Sequence, residues 1–325
     1  MNTHAMWKDY PQLEKDLSRV TQLIDSHIRI RDKQIRATLK EVVHAGGKLL
    51  RPAYTLLCSQ MGAYYDRDKA IALAAAVETL HMATLVHDDV IDDAATRRGK
   101  ATLQNTHGNK FAIYAGDYLF SISFAILSKH SGSLEHLAYN SRSMERILIG
   151  ELDQLHSRFK PASSVKDYLA RISGKTAQLF AVSCYTGAIE SKATKRQARH
   201  AWYMGHYIGM AFQIIDDILD YEADASHVGK PVMADVRQGI YTLPLIYALA
   251  KNEREIKPIL EKKQLSDEEL DRLITLIRQE RGLANAKKLA SRYTEKALTE
   301  LNKLPNGPYK DTLFELTSQM LKRTM

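Results

Sequence analysis

Apolar residues recur three and four positions apart along most of the chain, as in Leu73, Val77 and Leu80. This is the period of an α-helix with one buried face. Proline is absent from residues 53–160 and 162–230, which permits long helices there. No segment shows the strict alternation of apolar and polar residues that is typical of a strand. The pattern therefore predicts an all-α protein.

The predicted helices follow one another through short connections, and no change of composition marks a linker. We therefore expect one domain over residues 1–325. Helices are predicted near residues 12–44, 52–61, 67–95, 110–131, 134–159, 164–190, 196–222, 239–251, 254–263, 266–281, 283–303 and 309–324. Breaks are predicted at residues 46–47, 106–109, 160–161 and 228–231.

Two of these helices carry the same acidic motif, D-D-x-x-D, at residues 88–92 and 216–220. Residues four apart share a helix face, so the first and last aspartates of each motif stack. No Lys or Arg occurs within residues 70–96 or 200–229, and buried carboxylates need cations. Two such helices facing each other would hold several Mg²⁺ ions, which leave room for water and phosphate. A single copy is more often a solvated helix face, but two copies after apolar runs favour a diphosphate site.

Composition narrows the class of protein. The chain has 325 residues, of which 45% are hydrophobic and 26% charged, and this suits a globular core. Two cysteines, Cys58 and Cys184, and no visible signal peptide indicate a reducing, cytoplasmic location. No apolar run approaches the roughly 20 residues of a membrane span. The net charge of +8 fits anionic partners, but no basic patch interleaved with aromatic residues supports nucleic acid.

Basic residues occur at positions that match the acidic motifs. The segment G-G-K-L-L-R-P at residues 46–52 places two cations in a turn where glycine allows close approach of the backbone. Arg97 and Arg98 follow the first motif by about one and a half helical turns and should lie at the mouth of the metal site. Lys175 and Lys230 are further candidates. A single Lys or Arg is usually a solvated surface residue, so only the paired pattern favours phosphate binding.

Five motifs occur in order, G-G-K-x-x-R-P, H-D-D-x-x-D-x-x-x-x-R-R-G, G-D-Y-L, G-K-T and F-Q-x-x-D-D-x-L-D, at residues 46–52, 87–99, 116–119, 174–176 and 212–220. With this combination the chain resembles the trans-isoprenyl diphosphate synthases. It is most similar to bacterial medium- and long-chain polyprenyl synthases, such as the catalytic component of heptaprenyl diphosphate synthase. The resemblance covers most of the chain. It implies a single-domain helical bundle with a central active-site cavity, which condenses isopentenyl diphosphate with an allylic diphosphate.

The resemblance also implies roles, position by position. Three Mg²⁺ ions would be held, with substrate bound, by Asp88, Asp92 and Asp216. The acidic shell would be completed by Asp89, Asp217 and Asp220. The allylic diphosphate would be bound by Arg97, Lys175 and Lys230. Isopentenyl diphosphate would be bound by Lys48, Arg51, His81 and Arg98, and the allylic substrate would be contacted near its reacting carbon by Thr176 and Gln213.

Product length should depend on the helix that leads into Asp88, because the growing tail must run along it. The first positions that the tail meets are Ala83 and Thr84, followed by Leu80 and Val77. Short-chain members of the family carry bulky aromatic residues at the first two positions. Small side chains therefore imply an open tunnel and a product of about thirty to thirty-five carbons. Geranylgeranyl diphosphate, with twenty carbons, is the alternative product.

Other classes fit the motifs less well. Terpene cyclases typically replace the second motif by one that mixes Asn, Ser or Thr with Glu, and head-to-head synthases add a reductive step. A non-catalytic subunit that binds a partner synthase typically loses the aspartates that this chain keeps. A plain metal-binding or nucleic-acid-binding helical protein would not explain the ordered set of Lys and Arg. The chain can still be a catalytic subunit that needs a small regulatory partner. Otherwise the resemblance implies a homodimer, with at most peripheral membrane association for product release. One departure is Ile240, where many relatives carry Lys.

Overall fold

The computed structural model describes residues 4–45, 47–160, 164–222, 233–262 and 264–321. After a 3₁₀ turn at Ala5–Trp7, the first helices are α1 (Pro11–His27), α2 (Lys33–Val43), α3 (Leu50–Cys58), α4 (Arg67–Ile91), α5 (Leu103–His107), α6 (Asn109–His130) and α7 (Leu134–Ser157). Next come α8 (Val165–Ile172), a π-helical turn (Ser173–Ala177), α9 (Gln178–Glu190) and α10 (Lys195–Glu222). The last helices are α11 (Ala234–Arg237), α12 (Leu243–Leu249), α13 (Glu253–Leu260), α14 (Asp267–Gln279), α15 (Gly282–Asn302) and α16 (Pro308–Leu321).

The predicted all-α class is confirmed, with one small exception. Strands β1 (Thr96–Arg97) and β2 (Lys100–Ala101) form an antiparallel hairpin directly after α4. Its two central residues, Arg98 and Gly99, have φ values of 52° and 74°. Positive φ at both central positions matches the right-handed twist of paired strands. Two-residue strands show no alternating pattern, which is why the sequence did not indicate them.

Several predicted helices are too long; the one predicted over 239–251, for example, is confined to Leu243–Leu249. The helix predicted over 12–44 is broken into α1 and α2, because Asp32 caps the second piece by accepting hydrogen bonds from the backbone N–H of Gln34 and Ile35 at 2.8 and 2.9 Å. The helix predicted over 67–95 ends at Ile91, where the hairpin segment begins. The predicted breaks at Gly46, Pro161 and 228–231 lie outside the described residues.

The chain divides into two compact units. Unit 1 comprises Met1–Asn140, Val182–Ala201 and Pro305–Lys310, and unit 2 comprises Ser141–Ala181, Trp202–Leu304 and Asp311–Met325. The expectation of one domain over residues 1–325 stays a prediction.

Helix α4 forms the centre of unit 1. It packs against α1, α3 and α6, and its residues from Ala70 to Leu80 are buried on every side. The small side chains of this stretch let α6 approach closely, so that the Ser123 hydroxyl donates a hydrogen bond to the backbone carbonyl of Ala76 at 2.8 Å. The helix that leads into the first acidic motif is therefore rigidly held.

A buried carboxylate fixes the opposite end of α4. Glu190, whose side chain is 2% exposed, accepts hydrogen bonds from Lys69 at 2.6 Å, from His136 at 2.9 Å and from the backbone N–H of Gly132. A carboxylate at such a place is stable only when its oxygens are fully paired. Glu190 thus joins the end of α9 to the start of α4 and to the loop before α7.

Unit 2 has its own apolar core around α12. Leu245 on α12 packs with Leu273 and Ile277 of α14 and with Ile256 of α13. Each of these side chains is fully buried, which stabilises the fold by about 1.5–3 kcal/mol per residue. This core holds the C-terminal helices against the helix that carries the second acidic motif, since Tyr221 of α10 belongs to the same cluster.

Within the described part of the chain, two helices, α4 and α6, are long and apolar enough to cross a membrane, although the sequence predicted no such segment. These criteria are length and composition alone, and a core helix meets them too. The most apolar window of α4 is 78% buried inside the protein, as in a core helix, whereas that of α6 is 44% buried. The exposed part of α6 includes Ile113, Tyr114 and Phe124.

The burial of His206 on α10 predicts that the folded protein loses stability in acid. Its ring stacks on Trp202 with centroids 5.0 Å apart, and burial, with a smaller effect of Lys296, lowers its pKa to about 4. Below about pH 6.5, His206 becomes protonated in the unfolded chain but stays neutral in the folded chain. The free energy of unfolding therefore falls as the pH drops toward 4. By pH 5 we expect a loss of about 2 kcal/mol, which His206→Phe should remove. Urea unfolding at pH 7 and pH 5 measures this, and an identical pH dependence in both proteins would contradict it.

Candidate active site

The first acidic motif lies at the C-terminal end of α4. Asp88 and Asp89 belong to the helix, and Asp92 is its C-cap. The backbone N–H of Asp92 donates to the carbonyl of Asp88 at 2.8 Å, so the helical spacing of these two aspartates is kept. The predicted stacking of Asp88 and Asp92 therefore agrees with the backbone, even though the helix ends one residue earlier.

Arg97 reaches this motif by a route that the sequence did not predict. It was expected on a continuation of the helix, but it lies on β1, and the hairpin turns it back toward α4. Its Nε donates to Asp89 Oδ1 at 2.7 Å. Burial raises the pKa of Asp89, and the guanidinium of Arg97 opposes that rise. Asp89 and Arg97 thus form an ion pair within unit 1.

The four residues predicted to bind isopentenyl diphosphate all belong to unit 1. Arg51, in the first turn of α3, contacts His81 of α4, with 3.0 Å between Nη1 and Nε2. Burial lowers the pKa of His81 well below its usual value, and Arg51 and Arg98 add to this. His81 is therefore neutral, and its Nε2 accepts a hydrogen bond from the guanidinium of Arg51.

Arg98 packs on the glycine turn that precedes α3. A Cβ atom on Gly47 would lie 2.5 Å from Nη1 of Arg98, so only glycine leaves room for this guanidinium. Lys48, in the same turn, is held through its backbone carbonyl, which accepts a hydrogen bond from the indole of Trp7 at 3.0 Å. The structure thus brings the Gly47 turn and the hairpin together, as an anion site requires.

A cavity of about 850 Å³ lies beside these cations in unit 1. It is lined by Arg97 and Arg98, and by Glu78, Met82 and Asp89 along one face of α4, together with residues of α1, α2 and α5. Burial raises the pKa of Glu78, while Arg51 and Arg98 lower it. The sequence did not single out Glu78, because a glutamate inside an apolar helix carries no motif of its own.

The positions predicted to set product length lie on another part of α4. None of them is among the residues that line this cavity. All four are buried, with relative exposures of 0% for Ala83, 9% for Thr84, 3% for Leu80 and 3% for Val77. The Thr84 hydroxyl donates to the carbonyl of His81 at 2.8 Å. Their role in product length stays a prediction.

The second acidic motif lies in the last turns of α10, in unit 2. Asp216 is exposed, Asp220 is half-buried and Asp217 is 3% exposed. Asp220 is directed toward α11, because its carboxylate accepts hydrogen bonds from the backbone N–H of Ala234 at 3.2 Å and of Asp235 at 3.4 Å. The first and last aspartates of the motif are thus less buried than Asp217 between them.

Burial and neighbouring carboxylates raise the pKa values of two carboxyl groups in this region. Burial, followed by the charge of Asp235, raises the pKa of Asp217 to about 8. Burial, followed by Asp220 and Asp216, raises the pKa of Asp235 to about 7, which Lys175 and Arg171 oppose. Carboxylates with pKa values this far above their usual range need additional positive charge to ionise at neutral pH.

The π-helical turn between α8 and α9 presents Lys175 and Thr176. π-Turns inside helices often occur at functional sites. Two glycines make room for this one: a Cβ atom on Gly150 would lie 2.6 Å from the backbone nitrogen of Lys175, and one on Gly209 would lie 2.5 Å from Cα of Ala177. The turn is therefore pressed against both α7 and α10.

Lys175 has a partner that the sequence did not predict. Its Nζ donates to Glu151 Oε2 of α7 at 2.7 Å. Glu151 adjoins Gly150, so the close approach of the two helices also brings this carboxylate to the ammonium group. Lys175 is thus held within unit 2 near the acidic group of Asp235, whose pKa it lowers.

Four side chains of unit 2 form one hydrogen-bonded chain, which we call the Tyr168 relay. The Tyr168 hydroxyl donates to Asp217 Oδ2 at 2.6 Å, and Gln213 Nε2 donates to Asp217 Oδ1 at 2.7 Å. The Thr176 hydroxyl donates to Gln213 Oε1 at 2.7 Å. Three of the four were predicted site residues. Tyr168 was missed, because its role depends on burial beside α10.

The donor set of the two motifs fits Mg²⁺. Its donors are carboxylate oxygens, which hard divalent cations prefer, and burial raises the pKa values of Asp217 and Asp235 near the second motif. Among the residues that the structure describes, no three His, Cys, Asp or Glu side chains are grouped closely enough to enclose a metal by themselves. Lys230, the third predicted diphosphate ligand, lies outside the described residues.

Comparison with known proteins decides the family. A profile of the polyprenyl synthetase family matches residues 32–277. The chain belongs to the polyprenyl synthetase family. The predicted membership is thereby confirmed, and so is the trans-prenyltransferase activity at the level of the family. This family is Mg²⁺-dependent.

The similarity to individual relatives covers all or nearly all of the chain. The chain is 34% identical over 314 residues to heptaprenyl diphosphate synthase component 2 of Bacillus subtilis, covering 97% of this chain and 90% of the relative. A crystal structure of geranylgeranyl pyrophosphate synthase from Lactobacillus brevis is 38% identical with a TM-score of 0.93, covering 98% and 99% of the two chains. A polyprenyl synthase from Caulobacter crescentus, crystallised with calcium and isoprenyl diphosphate, is 30% identical with a TM-score of 0.89 over 100% of both chains. The fold is therefore that of the isoprenyl diphosphate synthases.

Proposed function

We propose that the chain is a polyprenyl diphosphate synthase that joins isopentenyl diphosphate head-to-tail to an allylic diphosphate. The observation that carries the proposal is the pairing of cations with acidic motifs inside each unit. In unit 1, Arg97 pairs with Asp89 of the first motif and Arg98 lines the same cavity. In unit 2, Lys175 lies near the carboxylates around the second motif. A simple metal-binding protein has no need for this set of cations, whereas a diphosphate bound through metal ions needs both signs of charge.

The isopentenyl diphosphate site is assigned to Lys48, Arg51, His81 and Arg98. Three features of unit 1 support this assignment: the contact between Arg51 and His81, the packing of Arg98 against Gly47, and the neutral state of His81. A planar guanidinium can bind two phosphate oxygens at once. A neutral imidazole adds hydrogen bonding without more charge, so two arginines and one lysine carry the electrostatic attraction.

The allylic diphosphate site is assigned to metal ions and three basic residues. Asp88, Asp92 and Asp216 supply the metal ligands for three Mg²⁺ ions, and the remaining aspartates of both motifs surround them. Arg97, Lys175 and Lys230 bind the diphosphate directly. Bound Mg²⁺ neutralises the charge that builds on a departing diphosphate. Lys175 would exchange its partner Glu151 for a phosphate oxygen, which is a similar charge at a similar distance.

The chain's own residues perform electrostatic catalysis and exclude water. Cations held in fixed positions favour breakage of the allylic C–O bond, because they meet the negative charge as it develops. The double bond of isopentenyl diphosphate then attacks the allylic cation, and a proton leaves to the released diphosphate. No protein nucleophile takes part. Apolar helix faces such as that of α4 keep out water that would otherwise quench the cation.

The proposed product has about thirty to thirty-five carbons, since Ala83 and Thr84 are small. The heptaprenyl name of the Bacillus relative supports this length. A twenty-carbon product is the second candidate, because the Lactobacillus relative with 38% identity is named a geranylgeranyl pyrophosphate synthase. Both candidate products arise from the same condensation reaction. They differ in how much space is available beside α4 for the growing isoprenoid tail.

We propose that the chain acts in the cytoplasm as a homodimer. Exposed apolar side chains on α6, such as Ile113, Tyr114 and Phe124, support a second copy as the partner. The free thiols of Cys58 and Cys184 suit a reducing compartment. The name "component 2" of the Bacillus relative keeps a small regulatory subunit as the alternative partner.

Product analysis of the purified chain tests this function. The chain is incubated with labelled isopentenyl diphosphate, farnesyl diphosphate and Mg²⁺, and its oligomeric state is measured by sedimentation. We expect a dimer and dephosphorylated products of about thirty carbons or more. A stop at twenty carbons would select the second candidate. No product from any allylic primer, with the chain folded and dimeric, would contradict a self-sufficient enzyme and indicate a missing subunit.

A further inference from the structure

The Tyr168 relay has a fixed direction. The hydroxyl of Tyr168 donates to Oδ2 of Asp217 and the amide nitrogen of Gln213 donates to Oδ1, so both oxygens of this carboxyl group act as acceptors. The amide oxygen of Gln213 is then turned toward Thr176. Because an amide oxygen can only accept a hydrogen bond, the hydroxyl of Thr176 must donate its one hydrogen bond to Gln213.

The end of the relay is therefore an electron-rich oxygen. With its proton committed to Gln213, the Thr176 hydroxyl offers only lone pairs to any other group. A lone pair stabilises a nearby positive charge, whereas an outward O–H would repel it. If the amide of Gln213 were free to rotate, Thr176 could present either its proton or its lone pair.

We propose that Tyr168 is a positioning residue that, through Asp217 and Gln213, makes Thr176 present its lone pairs to the allylic carbon as that carbon becomes positive. This inference rests on the proposed function, since it assigns a task within the same reaction. Tyr168 itself does not touch the substrate. Its hydroxyl holds the carboxyl group of Asp217 in the orientation that accepts the amide of Gln213, and thereby orients the hydrogen bond from Thr176.

The surroundings of Tyr168 suit such a task. Its side chain is 0% exposed, and the guanidinium of Arg171 lies 5.6 Å from its ring centroid. Arg171 is itself fixed by hydrogen bonds to the carbonyl of Tyr241 at 2.7 Å and to the hydroxyl of Ser157 at 3.1 Å. The ring cannot turn away from Asp217, so the relay begins at a rigid donor.

Tyr168→Phe removes only the hydroxyl and tests the proposal. With farnesyl diphosphate, isopentenyl diphosphate and Mg²⁺, we expect kcat to fall about 10- to 100-fold with little change in either KM. The fraction of allylic substrate released as farnesol should rise, because a poorly stabilised cation reacts with water. The affinity for an unreactive farnesyl thiolodiphosphate, measured by calorimetry, should stay unchanged. Tyr241→Phe is the matched control, since it removes another buried hydroxyl of unit 2, which donates to the carbonyl of Leu260.

A double-mutant cycle separates positioning from a general structural role. If Tyr168 acts through Thr176, then Tyr168→Phe combined with Thr176→Val should be no slower than Thr176→Val alone. Additive losses, or equal losses in Tyr168→Phe and Tyr241→Phe, would overturn the proposal.

A second variant covers the case in which Tyr168→Phe does not fold. Gln213→Met breaks the relay at a partly exposed residue, and it should show the same fall in kcat and the same non-additivity with Thr176→Val. Additive losses there would overturn the proposal as well. A wild-type chain that is inactive by itself would contradict the proposed self-sufficient enzyme, whereas additive losses in an active chain would overturn this inference alone.

Discussion

Asp216→Asn is expected to lower kcat/KM for condensation by at least about 10²–10³-fold, the usual cost of losing one preorganised electrostatic contact to developing charge. Asp216 is the exposed first aspartate of the second motif, so its replacement removes a charge without opening a cavity. The variant should fold normally and need a higher Mg²⁺ concentration for half-maximal rate. Initial rates over a Mg²⁺ titration measure both effects.

The matched control is Asp271→Asn, which removes an exposed carboxylate from α14 in the same unit. It should leave both the rate and the Mg²⁺ requirement unchanged. A chain that kept full activity after Asp216→Asn, at an unchanged Mg²⁺ requirement, would show that the second motif does not hold the metal.

Ala83→Phe is expected to shorten the product to about fifteen or twenty carbons. Ala83 is fully buried on α4, one turn before the first acidic motif, and a phenyl ring there would occupy the path proposed for the tail. The rate of the first condensation should change less than the product length, because the reacting carbons lie above the new ring. Chromatography of the dephosphorylated products against chain-length standards provides the measurement.

Met82→Phe distinguishes a tail that follows the Ala83 face of α4 from a tail that enters the unit 1 cavity. Met82 is the neighbouring residue, but it lines the unit 1 cavity, where Ala83 does not. If the tail follows the Ala83 face, Met82→Phe should leave product length unchanged. Shortening by Met82→Phe alone would place the tail in the cavity and refute the assigned chain-length positions.

The helices themselves could be predicted because their signal is local. Periodic apolar residues and the absence of proline give α6, α7 and α10 to within a few residues of their observed ends. The break after His27 was missed, since it depends on the cap that Asp32 provides to the next helix. A short capping contact competes with a long periodic pattern, and the pattern alone does not reveal which one prevails.

The candidate site was predicted in its residue types but not in its contacts. The acidic motifs and the basic residues near them follow from sequence and resemblance. The pairing of Arg97 with Asp89 requires the hairpin, and that of Lys175 with Glu151 requires two glycines at a helix crossing. Both arise from contacts between segments distant in sequence. Tyr168 was missed for the same reason, because only its burial beside α10 makes it a donor to Asp217.

The π-helical turn at Ser173–Ala177 has a consequence for how relatives can vary in length. Such a turn contains one more residue than the α-helical turn it replaces, so α8 and α9 keep separate registers, offset by about 100° around the axis. Deleting any one residue of the turn would restore a continuous α-helix and rotate one side against the other. A deletion here should thus be far more disruptive than a substitution, because the relative rotation of the α8 and α9 faces depends on the extra residue.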